Sequence, residues 1–141
     1  MASEIYGKGV EGLVSGGIDW KASGGSTIKA KLCLSSLAYS DAHEHRDDVS
    51  AGDTTGATDV ALTLSDPDSG TADTIKLKAD ASLTFDSVTT GQTVGSVIVY
   101  HDTGDTTTDT LIAFLDIAST DTNGGEVVVT LPGSVYAELD Y

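Results

Sequence analysis

The chain has 141 residues, enough for one domain with a single buried core. Hydrophobic residues make up 39%, which excludes a disordered chain, and 22 acidic against 7 basic residues give a formal net charge of −15. A surface of that sign repels phosphate backbones and anionic headgroups, so neither nucleic acid nor a membrane is an expected partner.

Residues 1–17 read as a helical N-terminal segment. Ile5, Val10, Leu13 and Val14 fall near helical spacing, Ser3 is a candidate N-cap, and Gly16-Gly17 supplies the stop. Gly7, Gly9 and Gly12 weaken such a helix by about 1 kcal/mol each relative to Ala, so their use is expected in close packing on a sheet or a neighbouring subunit. No basic stretch followed by an apolar core opens the chain, and no secretory leader is expected.

Ile18-Asp19-Trp20 opens the first strand signal. After Gly24-Gly25, the residues Ile28, Ala30, Leu32 and Leu34 alternate with Lys29, Lys31 and Cys33, which predicts a strand with one core face and one lysine-bearing face. Residues 38–59 form a long polar loop. A loop of that length in a compact domain is functional, disordered, or pinned by a partner. Val60, Leu62 and Leu64 alternate as a strand closed by a turn over Asp66-Pro67-Asp68-Ser69-Gly70. From Ile75 to Phe85 the odd positions stay apolar, giving one long bent strand or two strands broken near Asp80.

Val94 to Tyr100 and Leu111 to Ile117 are the two most apolar stretches, rich in Val, Ile and Phe and separated by a polar loop of Asp and Thr. They predict a long β-hairpin at the centre of the sheet, covered on both faces. Asn123-Gly124-Gly125 turns into a strand ending at Pro132-Gly133, and Val135 to Tyr141 forms a short edge strand. The expected architecture is mainly β: a single-domain antiparallel β-sandwich or flattened barrel with one short N-terminal helix. Val97, Val99, Phe114, Leu115, Leu32 and Leu34 belong to its core.

Few residues suggest chemistry. On a strand, His43, His45 and Asp47 would share a face, which is the geometry of a transition-metal site or of a small enzyme's catalytic centre. The groups Asp66/Asp68/Asp73, Asp102/Asp105/Asp109 and Asp121/Asn123/Glu126 have the oxygen-rich character of calcium loops, yet none fits the full EF-hand spacing, and Asp, Asn and Gly also build ordinary turns. Cys33, unable to form an intrachain disulfide, reads as an inert small residue under a loop or subunit. His101 reads as a strand-end histidine beside Asp102, and Trp20 as core. There is no glycine-rich phosphate loop, no G-x-S-x-G and no H-E-x-x-H. The sequence therefore predicts no catalytic, cofactor-binding or metal site, no cofactor and no enzymatic activity.

Several segments in order carry a resemblance. A glycine-containing N-terminal helix runs into GGIDW (16–20), followed by TIKAKLCL (27–34), a polar loop holding His43 and Asp48-Val49, and TFDSVTTG (84–91). VIVYHDTGDTTTDTLIAFLDI (97–117) and NGGEVVVTLP (123–132) complete the series. This order resembles a family of small virion structural proteins of tailed bacteriophages. The resemblance implies a capsid decoration, or cement, protein, made in the host cytoplasm and placed on the capsid surface of the virion. Its implied partners are the major capsid protein and further copies of itself, as a trimer or dimer. The N-terminal stretch and the loop 38–59 would then supply contacts and become ordered on docking. The alternative is a tail or adhesin module whose acidic loops bind host glycan through calcium.

Overall fold

The computed structural model describes residues 3–71 and 74–140. In chain order the elements are β1 (Ser3–Ile5), α1 (Gly7–Ser15), β2 (Ile28–Leu34), β3 (Val60–Ala61), β4 (Asp68–Thr71), β5 (Thr74–Lys78), β6 (Ser82–Phe85), β7 (Thr93–His101), β8 (Thr110–Asp121), β9 (Val127–Thr130) and β10 (Val135–Asp140). They form a five-stranded sheet in the order β1-β8-β7-β2-β3, a three-stranded sheet β10-β5-β4 and a pair β6-β9, with every pairing antiparallel. The fold is mainly β, with antiparallel sheets packed together as a sandwich and one α-helix near the N-terminus.

The β7–β8 hairpin is central, as its composition demands. Val94 to Tyr100 are buried without interruption, because β7 lies between β8 and β2 and is covered on both faces. On one face Val97 and Val99 join Ile28, Ala30, Leu32, Ala113 and Leu115 against Leu77, Leu83, Phe85, Val129, Leu131 and Tyr136 of the opposing sheets. This is the main core. On the other face Ile98, Tyr100 and Phe114 meet Tyr6, Cys33, Leu37, Val49 and Leu111, a second, smaller core. Phe114 is thus core, but on the side opposite Leu115, and Leu34 is only half-buried against the main core.

The helix begins later than its periodicity predicts. Ser3 is not an N-cap: Ser3 to Ile5 pair with Leu115 to Ala113 along the edge of β8, and Tyr6 becomes the capping position without a side-chain cap bond. Satisfying the backbone groups of a sheet edge and burying Tyr6 outweigh three further residues of helix. The stop at Gly16 holds, with φ 82°. Gly9 explains one of the helix glycines, because a Cβ there would lie 2.6 Å from Cα of Ile112. The helix packs directly on β8, and only glycine permits that approach.

Three further expectations give way to tertiary contacts. Ile18 to Trp20 is not a strand: the Asp19 amide donates to Ser26 Oγ at 2.8 Å and the Ser26 amide to the Asp19 carbonyl at 2.7 Å, closing a local loop instead of a ladder. Trp20 still enters the core and donates its indole N–H to the Lys78 carbonyl. The strand at Val60 ends after Ala61, although Leu62 N–H still reaches the Ile28 carbonyl; Thr63 is then diverted by donating to Asp80 Oδ2 at 2.8 Å. The turn predicted over residues 66–70 gives way from Asp68 onward to strand β4 (Asp68–Thr71), held across β5 by an ion pair between Asp68 and Lys78. The apolar run from Ile75 to Phe85 resolves into two strands, β5 and β6, with Asp80 between them.

Candidate functional site

The polar loop from 38 to 59 lies against the sheet face that carries Cys33, Ile98 and Tyr100. Leu37 and Val49 anchor it in the second core, while Tyr39 stacks 5.1 Å from Tyr6 and donates its hydroxyl to the Ile5 carbonyl. Backbone bonds hold both ends. Arg46 N–H donates to the Asp109 carbonyl and Leu111 N–H to the Glu44 carbonyl, while Thr55 donates through both N–H and Oγ1 to the Leu32 carbonyl. The segment expected to become ordered on docking is therefore pinned by its own chain, as is the N-terminal stretch through β1 and α1.

At the centre of this face is a cluster of charges. Asp59 accepts from Lys31 at 3.0 Å, from Arg46 at 3.3 Å and from the Tyr100 hydroxyl at 2.5 Å. Arg46, the chain's one arginine, also lies 3.6 Å from Asp109 and sits over the Tyr100 ring at 4.8 Å. Asp109 in turn accepts from the N–H and Oγ1 of Thr103, which fastens the loop between β7 and β8. Two cations face two carboxylates, and the shared carboxylate is only 13% exposed. Burial, and then the bond to Asp59, raise the Tyr100 hydroxyl well above the ordinary phenol range, so it stays a donor. A hollow of about 380 Å³ beside the cluster is lined by Lys31, Arg46, Val49, Thr54, Ile98 and Thr106. Chemically the cluster is a clamp. It joins β2, β7 and two loops through matched donors and acceptors.

The residues singled out in the sequence sit around this clamp without converging. His45 forms a single bridge opposite Thr110, and Asp47 N–H donates to the Thr106 carbonyl. His43 Nδ1 is buried with no hydrogen-bond partner among the described residues. Asp48, next in line, accepts from the N–H groups of Glu44 and His45, which holds its carboxyl below the usual range. Arg46, lying between the candidate ligands, is the residue that reaches inward, and it was not among them. The Cys33 thiol lies under the loop on the same face, and burial pushes it up to about 12.

No protein-family model, curated protein or solved structure matches this chain.

The acidic loops use their carboxylates as turn and strand anchors. Asp66 accepts from Ala22 N–H, and Asp68 pairs with Lys78, while Asp73 lies outside the described residues. Asp102 pairs with Lys29 at 2.6 Å, and Asp105 accepts from the N–H and hydroxyl of Thr107. Asp121 accepts from Thr93 and Asn123 from Gly125 N–H. Among the described residues no three His, Cys, Asp or Glu side chains form a metal-binding group. His101 is the last residue of β7, opposite Thr110.

All seven cations are engaged inside the chain. Lys8, Lys21, Lys29, Lys31, Arg46, Lys76 and Lys78 each lie within 3.7 Å of a carboxylate. The lysine-bearing face of β2 predicted from the sequence is accordingly not a free basic surface. Lys31 and Cys33 are covered by the loop, and Lys29 is tied to Asp102.

Proposed function

We propose that this chain is a capsid decoration protein of a tailed bacteriophage, binding the outside of the head lattice and stabilising it by bridging adjacent subunits of the major capsid protein. The observation that carries the reading is the internal pairing of all seven cations, which leaves the −15 surface without a basic patch. Such a surface keeps a protein made in many copies soluble before assembly, and it favours basic ground when it docks. The order of sequence segments shared in kind with small phage virion proteins supports the same reading. So does the scaffold, a sandwich whose long loops are fastened to it, since a rigid subunit loses little conformational freedom on docking. Modest contacts repeated over a lattice, and linked through oligomers of the chain, add up to lasting attachment.

The test is copy number. Decoration requires the chain in purified virions at hundreds of copies, in a fixed ratio to the major capsid protein, and released progressively as salt is raised. A handful of copies per particle would place it on the tail or on an adhesin, and its absence from virions would end the proposal.

A further inference from the structure

The turn from β8 into β9 carries the chain's one asparagine, Asn123, and the residue after it is glycine. Residues 123–126 are four exposed positions in a row, so water reaches both Asn123 and Gly124. The Gly125 N–H donates to Asn123 Oδ1 at 3.0 Å, an Asx turn that folds the side-chain amide back along its own chain and polarises its carbonyl. The Gly124 N–H, in contrast, has no hydrogen-bond partner among the described residues. An exposed, polarised amide carbon is therefore followed in the chain by an uncommitted backbone nitrogen.

The flanks of this turn are fixed. Thr122 is buried, donates its N–H to the Gln92 carbonyl at 2.9 Å, accepts from the Gln92 N–H at 3.0 Å and gives its hydroxyl to the Thr89 carbonyl. On the far side the Gly125 carbonyl accepts from the Val88 N–H at 3.0 Å. Gly124 itself has φ 89°, and a Cβ there would lie 2.8 Å from Thr90 Oγ1, so the position suits only glycine. The turn is a short exposed arch with both feet tied to the segment 88–92, and Asn123 and Gly124 lie at its crown.

We propose that Asn123 is a site of spontaneous covalent modification in the folded protein, through attack by the backbone of its neighbour. Asparagine is among the thermolabile side chains, and glycine at 124 offers no side chain to shield the attacking nitrogen. The Gly124 nitrogen gives its proton to hydroxide and bonds to Cγ of Asn123. The side-chain nitrogen takes a proton from water and leaves as ammonia, which closes a five-membered succinimide. Water then opens the ring at either carbonyl. Addition at Cγ leaves aspartate on an ordinary backbone, while addition at the main-chain carbonyl leaves isoaspartate, whose chain runs on through the side-chain methylene. One water is consumed and one ammonia released, with no oxidant, metal or second protein. Either product adds one negative charge to the −15 of the chain. Aspartate still accepts from the Gly125 N–H and keeps the arch, but isoaspartate inserts a carbon between two tied feet and loosens the hold on 88–92.

The test keeps the full chain in warm, mildly alkaline buffer beside a free peptide of residues 119–127. Both are followed by ion exchange and by mass spectrometry of digests, where OH in place of NH2 within this segment reports Asn123 alone. The folded chain is expected to convert at a rate within about tenfold of the peptide's, because an exposed turn opens at little cost. The rate rises in proportion to hydroxide, and stepwise N-terminal degradation of the digest peptide stops at the isoaspartyl residue. Asn123→Gln, whose ring would need six members, gains no acidic species in this segment over the same period. The isoaspartyl form, once separated, melts below both the parent and Asn123→Asp, which keep the ordinary backbone. Conversion slower than the tenfold limit overturns the proposal, since reaction through global unfolding lags the peptide by at least about a thousandfold. Equal acidification of Asn123→Gln, or a rate indifferent to hydroxide, overturns it as well. An isoaspartyl form that melts with the parent overturns the strain assigned to the arch. No capsid enters these measurements, so their failure leaves the decoration reading to its own test on virions.

Discussion

Replacing Asp59 by Ala removes the one acceptor that Lys31, Arg46 and Tyr100 share. Three donors then lose a partner in a site where the carboxylate and Lys31 side chains are each 13% exposed and Tyr100 is buried. Stranding a buried hydroxyl costs about 1–3 kcal/mol. Breaking a fully buried ion pair costs about 3–5 kcal/mol, a range that must be reduced here because Arg46 keeps Asp109 and a quarter of its side chain reaches water. Together these give about 3 kcal/mol, and for a chain of this size about 10 °C in melting temperature. Urea unfolding supplies the free energy, and a double-mutant cycle with Tyr100→Phe isolates the hydroxyl. The cycle should return a coupling of about 1–2 kcal/mol, because Tyr100→Phe alone also removes the donor that the alanine variant leaves stranded. A loss under about 0.5 kcal/mol for Asp59→Ala would show that the loop is held by its apolar anchors and backbone bonds alone, and the clamp would have no energetic meaning.

Gly9→Ala should destabilise the fold by about 1–3 kcal/mol despite adding helix propensity, since the new methyl overlaps Ile112; a rise in melting temperature would contradict that close approach. The Cys33 thiol, buried and raised to about 12, should resist a thiol-reactive dye at pH 8 in the native protein and react at once in guanidinium; a fast native reaction would place it outside the loop's cover. Asp102, held low chiefly by its bond to Lys29, and Asp48, held low by two backbone N–H groups, stabilise the native state above the ordinary carboxylate pKa of about 4. That contribution is lost as pH falls through their lower native values, so Asp102→Asn should flatten the acid side of a melting-temperature profile, and an unchanged slope would refute the pairing.

What the sequence made legible is what depends on local pattern. The alternation of Ile28 to Leu34 marks β2, and the unbroken apolar runs at 94–100 and 111–117 mark a hairpin that must be buried on both sides. Those runs also imply something opposite each face, and on the second face the structure supplies it with Tyr6 and the polar loop from 38. Leu37, Tyr39 and Val49 were the apolar residues in or beside it that could do so. What the pattern hides is pairing at a distance. Nothing in the spacing of Lys31, Arg46, Asp59, Tyr100 and Asp109 brings them together; their convergence depends on β2 and β7 lying side by side and the loop folding over both. His43 and His45 drew notice because histidine suggests chemistry, yet the residue between the candidate ligands, Arg46, is the one that the fold uses. β1 was missed for another reason, since three residues on a sheet edge carry no period of their own and Ile5 fits the helix that follows. Ile18 and Trp20 resemble a strand by type and are instead core plugs at the ends of a loop closed by Ser26.

The central claim is that the chain works on the outside of a phage head, and a cryo-EM reconstruction of the virion at residue resolution tests it most directly. The account predicts density for this sandwich at regular positions on the outer capsid surface, its acidic surface against basic residues of the shell and its copies repeating with the lattice. Density for the chain confined to the tail, or a shell whose outer surface is bare in particles that contain the protein, would contradict it.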